Sequence, residues 1–260
     1  MVTLNLQVDQ ISLFMFIFLR VTIILIFLPI FDSPNIPALF KIGLCFAVSV
    51  LFFPILKLAE TPSFDEGIPL MVGIASELVM GLGIGLCVKL IFTGIQLGGE
   101  LVGYQMGLSI ANVFDPATGS QNSIIAEIKY IMALLVFLAI DGHHWFFRAI
   151  AESFVLVPPF GFQITGPLMN NLLAFTAKMF IISIQFSAPI VVALIFTNVS
   201  MGLIARTVPQ MNVFFVAMPV NMMIGVLFIG LLFPLFVSFL ISIYSNIGMD
   251  MFMFFKLGQN

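Results

Sequence analysis

Residues 172–205 read LLAFTAKMFIISIQFSAPIVVALIFTNVSMGLIA. The run carries one charge, Lys178, and one residue unable to donate a backbone hydrogen bond within a helix, Pro189. Its apolar side chains are not spaced in alternation, and a run of this length is preferred as helix over strand. A helix rises about 1.5 Å per residue, and the hydrocarbon core of a bilayer, about 30 Å thick, takes roughly 20 of them. This stretch overruns that length, so it must tilt, kink or project beyond the bilayer. Helices in a membrane are the fold class that follows.

Five more apolar stretches lie at about 11–31, 36–58, 68–95, 124–140 and 213–245. The last also overruns a bilayer and contains Pro219 and Pro234, while 124–140 is short for an upright span. Composition agrees: 61% of the 260 residues are hydrophobic and 8% charged, against about 25% charged in soluble domains. So few ionic groups cannot cover the surface of a soluble domain. The expectation is an all-α protein of membrane-associated helical hairpins with long, kinked helices. Phe (31 residues) and Met (16) are abundant, and Trp occurs once. The aromatic belt usual at headgroups is therefore weak, a hint that much of the chain faces protein. The N-terminus lacks the basic region of a signal peptide, so the apolar run after it is expected to be retained. Cys45 and Cys87 both sit in apolar segments, which argues against a disulfide or metal framework. A net charge of −3 without a basic run speaks against nucleic acid as a partner.

Charges inside the apolar stretches are the first anomaly. Arg20, Lys41, Glu77, Lys89, Glu127, Lys129 and Lys178 all fall there. Placing one at a bilayer centre costs about 2.5–3.5 kcal/mol on insertion scales. Ion pairing within a bundle and a transport role both account for them, and either way they face protein or water. The flanking charges Lys57, Arg148, Arg206 and Lys256 fall on both sides of any six-span arrangement, so orientation is not settled. Glycines form the second anomaly. Gly81 and Gly85, Gly94 and Gly98, and Gly99, Gly103 and Gly107 recur at intervals of four, a stripe against which another backbone packs closely. Packing within the chain and contact between subunits are both open readings.

Three polar breaks remain. Residues 103–123, GYQMGLSIANVFDPATGSQNS, hold no Lys or Arg and one acid, Asp115. Its apolar centre, Ile110-Ala111-Asn112-Val113-Phe114, is bounded by Gly107 and the turn signal Asp115-Pro116. Irregular backbone at membrane depth must be buried in protein or line a cavity, so the segment is either a loop able to close a conduit or an ordinary external loop. Asp141-Gly142-His143-His144 is the one cluster resembling a metal or catalytic site. Adjacent histidines on a helix project about 100° apart, and a zinc site wants two more ligands. No catalytic motif accompanies them, so neither an enzyme nor a cofactor is expected. Arg206-Thr207-Val208-Pro209-Gln210-Met211-Asn212 separates the last two stretches. Pro209 suits a tight bend, and Arg206, Gln210 and Asn212 bring more donors than a bare hairpin requires.

With these residues in view, the sequence resembles the FliR family, export-gate subunits of the flagellum and of virulence type III secretion systems. The resemblance is carried in order by Arg20 and Pro29, Gln96-Leu97-Gly98-Gly99-Glu100, Gly103, Gln105-Met106-Gly107, Asp115-Pro116, Asp141-Gly142-His143-His144, Asn198, and Arg206 leading into Pro209-Gln210-Met211-Asn212-Val213-Phe214. The last element best separates the family from generic transporters.

The resemblance implies a structural, pore-forming subunit of the flagellar export gate, joined to P-type and Q-type subunits and raised partly out of the bilayer plane. It implies a P-subunit-like part over about 1–170 and a Q-subunit-like helical hairpin over about 171–260. Gly107, Ile110, Asn112, Val113, Phe114 and Asp115 would belong to a plug in the closed pore. Gly99 and Gly103 would serve subunit packing, and Arg206, Pro209, Gln210 and Asn212 the hairpin turn where neighbours converge. Further partners would be exported flagellar proteins, membrane lipid and a switch-type export component, which is not attached to the chain ending at Asn260. The location would be the bacterial inner membrane at the flagellar basal body. Two readings compete: a secondary transporter of a small solute, using Arg20, Glu77 and Lys89, and a membrane-embedded enzyme using His143 and His144.

Overall fold

A computed structural model describes residues 8–31, 36–54, 67–108, 123–157, 161–210 and 212–258. The protein is all-α. Its helices are α1 (Val8–Ile26), α2 (Ala38–Phe52), α3 (Gly67–Gln105), α4 (Ile124–Ala139), α5 (Gly142–Leu156), α6 (Gly166–Thr207), α7 (Val213–Leu231), α8 (Phe233–Ser245) and α9 (Ile247–Leu257), with a short 3-10 turn at Pro29–Phe31. Among the described residues there is no strand. Within the described residues, three helical stretches, Met71–Gln105, Gly166–Thr207 and Phe233–Leu257, are long and apolar enough to cross a membrane.

The helices differ from the apolar stretches at three places, each for a physical reason. α3 continues to Gln105, well past residue 95, because its glycines there lie against neighbouring backbone rather than breaking the helix. It stops at Gly107, whose φ of +82° suits a residue without Cβ. Gly107 N–H donates to Tyr104 O (3.0 Å) and Leu108 N–H to Gly103 O (3.1 Å), the paired bonds of a Schellman terminus. α5 occupies sequence that reads as a polar boundary. Arg148 and Glu152 dilute its apolarity, yet they pair with each other one turn apart (2.7 Å) on the outer face. Phe146, Ala149, Ile150 and Phe154 form the buried stripe on the other. The sixth stretch breaks at Leu232, and Pro234 stands in the first turn of α8, where a missing N–H goes unnoticed. Pro189 and Pro219, by contrast, lie within continuous helices.

The chain forms two compact units. The first comprises Met1–Lys89, Ile140–Phe175 and Tyr244–Asn260. Here α1 packs on α2 and α5, and α5 on α9. Phe14 meets Phe46 edge-on at 5.5 Å and Phe53 at 5.9 Å, a favourable ring geometry. Gly81 and Gly85 of α3 lie under Ile23 and Phe27, and Gly83 under Phe254. The end of α9 is tied by Thr165 Oγ1 donating to Leu257 O (2.8 Å) and Gln163 N–H donating to Gly258 O (3.1 Å).

The second unit comprises Leu90–Ala139 and Thr176–Ile243. Phe92 packs edge-on against Tyr130 and Phe137, and Phe186 stacks on Phe236 at 4.6 Å.

Candidate functional site

The charges singled out in the sequence acquire partners first in the first unit. Arg20 on α1 and Glu77 on α3 are both buried, and they meet in a bidentate pair: Nε donates to Oε2 and Nη2 to Oε1, each at 2.5 Å. Such fork geometry is the strongest that a carboxylate and a guanidinium make. The remaining nitrogen, Nη1, donates to Val157 O (2.9 Å), Ser153 O (3.0 Å) and, more weakly, Ser153 Oγ (3.4 Å). Ser153 and Val157 close α5, so the cation sits at the negative end of that helix. The Phe154 ring lies 4.2 Å from the guanidinium carbon. One arginine therefore holds α1, α3 and the end of α5 together, and its donors are satisfied inside the protein.

In the second unit the glycine track does the organising. A Cβ on Gly94 would stand 2.6 Å from Met179 O, and one on Gly98 would stand 2.8 Å from Ser183 O. Those two positions thus let α3 approach the backbone of α6. On an adjoining face a Cβ on Gly99 would stand 2.5 Å from Ala126 Cα of α4, and one on Gly103 would run into the Ser123 side chain. Gly107 lies near Met218 of α7, and Gly225 of α7 is covered by Met106. Each of these glycines thus has a close neighbour within the chain. Two polar features share this unit. Lys129 is buried, with its ammonium 4.7 Å from the Phe186 ring and 5.0 Å from that of Phe236, and it donates to Phe186 O at 3.5 Å. Asn221 Nδ2 donates to Asn198 Oδ1 (2.7 Å), bridging α7 and α6, the kind of amide link that joins helices in lipid.

The turn between α6 and α7 stands open. Arg206, Pro209, Gln210 and Asn212 are all exposed. Asn212 is the N-cap of α7, yet its side chain makes no capping bond. Of the residues assigned to a plug, Gly107 ends α3 as described. Ile110, Asn112, Val113, Phe114 and Asp115 lie outside the described residues.

The sequence profile of the bacterial export proteins, family 1, matches residues 11–247. The chain belongs to that family. Among its relatives, the flagellar biosynthetic protein FliR of Bacillus subtilis (strain 168) is 34% identical over 244 residues, 92% of each chain. That of Pectobacterium carotovorum subsp. carotovorum is 32% identical over 242 residues, 93% of this chain and 92% of its own. FliR of Escherichia coli (strain K12) is 26% identical over 246 residues, 95% of this chain and 94% of its own.

Within this export-family chain, the fold gathers the quoted motifs into a few structural roles. Arg20 becomes the clasp, and Gly98, Gly99, Gly103 and Gly107 become the track. Asn198 becomes one half of an amide bridge, and Arg206, Pro209, Gln210 and Asn212 stand exposed between α6 and α7. Reading along the sequence missed Ser153, Val157, Ser123 and Asn221. None belongs to a spaced pattern, since two act through backbone carbonyls and two become partners only when distant helices meet.

Proposed function

We propose that this chain is a structural, pore-forming subunit of the flagellar protein-export gate, needed to assemble the flagellum. Unfolded rod, hook and filament proteins would pass through that gate across the bacterial inner membrane at the flagellar basal body. The observation that carries the reading is the match, over more than nine-tenths of the chain, to proteins named flagellar biosynthetic protein FliR. The molecule's surface supports it. α6 leaves Leu173, Phe180, Ile184, Phe196, Val199 and Leu203 exposed, and α7 leaves Phe215, Met223 and Leu227 exposed. Apolar area on that scale requires lipid or other subunits to cover it. P-type and Q-type gate subunits are the proposed covers, with the exposed donors of Arg206, Gln210 and Asn212 bonding neighbours at the hairpin turn. The division into a P-like part over about 1–170 and a Q-like hairpin over about 171–260 belongs to the same proposal, as does a plug that includes Gly107, Ile110, Asn112, Val113, Phe114 and Asp115. Arg20 and Glu77, which a solute transporter would keep for its cargo, are engaged with each other.

The test is a strain deleted for this chain. The expected result is loss of flagella and of secreted hook and filament proteins, restored by the gene, with two small hydrophobic gate proteins recovered alongside the chain in mild detergent. Normal secretion and motility in the deletion strain would overturn the reading.

A further inference from the structure

The quartet Asp141-Gly142-His143-His144 is one of the motifs that carry the family resemblance, yet the fold described above gives it no role, and its geometry is unusual. Asp141 is the N-cap of α5, and aspartate there ordinarily accepts a hydrogen bond from the first turn of the helix. Here the side chain makes no such bond. The backbone of Asp141 instead lies in the left-handed region (φ 57°, ψ 30°), where Asp is one of the few residue types with a Cβ to be found repeatedly. Asp141 Oδ1 stands 3.5 Å from His144 Nδ1. That is long for a good hydrogen bond, but close to the edge of about 3.4 Å between two ligands each about 2.1 Å from a tetrahedral ion. Side-chain rotation overcomes the divergence of neighbouring positions, since the rings of His143 and His144 lie 4.2 Å apart. One ligand atom from each of the three residues falls within 4.8 Å of the other two. Independently, His143 Nδ1 is shielded from solvent and has no hydrogen-bond partner. Asp141 thus makes no capping bond and His143 Nδ1 has no partner, and both residues belong to one cluster.

We propose that Asp141, His143 and His144 form a binding site for a divalent transition-metal ion at the first turn of α5. Two imidazole nitrogens and one carboxylate oxygen suit zinc, copper or nickel better than magnesium or calcium, which prefer all-oxygen shells. Water completes the coordination. Asp141 and His144 are 73% and 67% exposed, so the ion reaches the site directly from solvent. Bound there, it ties the N-cap carboxylate to the first turn of α5, the helix whose other end is held by Arg20.

The experiment uses the full chain in mild detergent, carrying an affinity tag without histidine and stripped with a chelator. Cobalt(II) is titrated by its visible absorption and zinc by calorimetry. One equivalent of cobalt with tetrahedral bands, displaced by zinc, is the expected result, with a higher thermal midpoint in zinc. Asp141→Gly suits the left-handed backbone and His144→Gln keeps a polar side chain, so both should fold with apo midpoints near that of the parent. Each should weaken zinc binding by about tenfold or more and abolish the zinc-dependent rise in midpoint. Absence of one-equivalent uptake, uptake unchanged in both variants, or a response to magnesium or calcium alone would each overturn the proposal.

Discussion

Arg20 shows how a charge that looks intolerable in the sequence becomes an organising residue once folded. Removing one partner of a buried pair leaves the other uncompensated, which costs about 3–5 kcal/mol. Arg20→Ala and Glu77→Ala are therefore each expected to destabilise by that amount, measured by denaturant unfolding in detergent. The double substitution Arg20→Met with Glu77→Leu removes both charges together and should recover most of the loss. A double variant as unstable as the two single losses combined would show that the bonds to Ser153 and Val157, rather than the pair, dominate. Lys129 differs, because its ammonium rests on the faces of Phe186 and Phe236. Lys129→Met fills the same space without a charge to desolvate and should leave stability equal or improved. Lys129→Glu puts a carboxylate against the negative ring faces and should be the more damaging change in the same unfolding assay.

At the scale of helices, close approach is set by hydrogen where other residues carry carbon. A methyl on Gly94 or Gly98 would meet a backbone carbonyl of α6, which cannot rotate away as a side chain can. Gly94→Ala and Gly98→Ala should each destabilise by about 1–3 kcal/mol, as overpacking does. A methyl on Gly202, in the interior of α6, would meet nothing within 4 Å, so Gly202→Ala should gain about 0.5–1 kcal/mol of helix stability. Thermal unfolding of the three variants separates packing from helix propensity, and a uniform response would contradict it. The turn between α6 and α7 responds differently again. Arg206 is exposed, so Arg206→Ala should leave the fold and membrane insertion unchanged while weakening recovery of partner subunits and export. Full assembly and export from that variant would remove the proposed role of the turn.

For the molecule as a whole, the proposed gate must hold ions back when idle, and an apolar constriction does so by dewetting, without fixed charge. Deleting residues 110–114 is expected to leave a stable, assembled chain, since α3 already ends in its own terminal bonds at Gly107 and Leu108. Cells making the deleted form should admit small ions or dyes and grow poorly, read as membrane conductance or dye entry. Unchanged permeability with assembly intact would leave the segment as an ordinary connection.

Much of this was legible along the chain because burial in a membrane is a property of composition and run length. Long apolar stretches with few charges dictate helices, since each backbone group must find its partner inside its own segment. The ordered motifs, ending in Pro209-Gln210-Met211-Asn212-Val213-Phe214, were enough to place the chain near its family. Other features were decided only by the tertiary structure. Which parts of the chain come up against the glycines at intervals of four depended on where α4 and α6 lie, and spacing says nothing about that. α5 was obscured because Arg148 and Glu152 lower its average apolarity while its buried stripe remains intact. The partners of Arg20 are separated from it by 57 to 137 residues, and two are backbone carbonyls that every residue type possesses. Periodicity records what each segment must bury, but pairing between distant segments arises from the packing that brings them together.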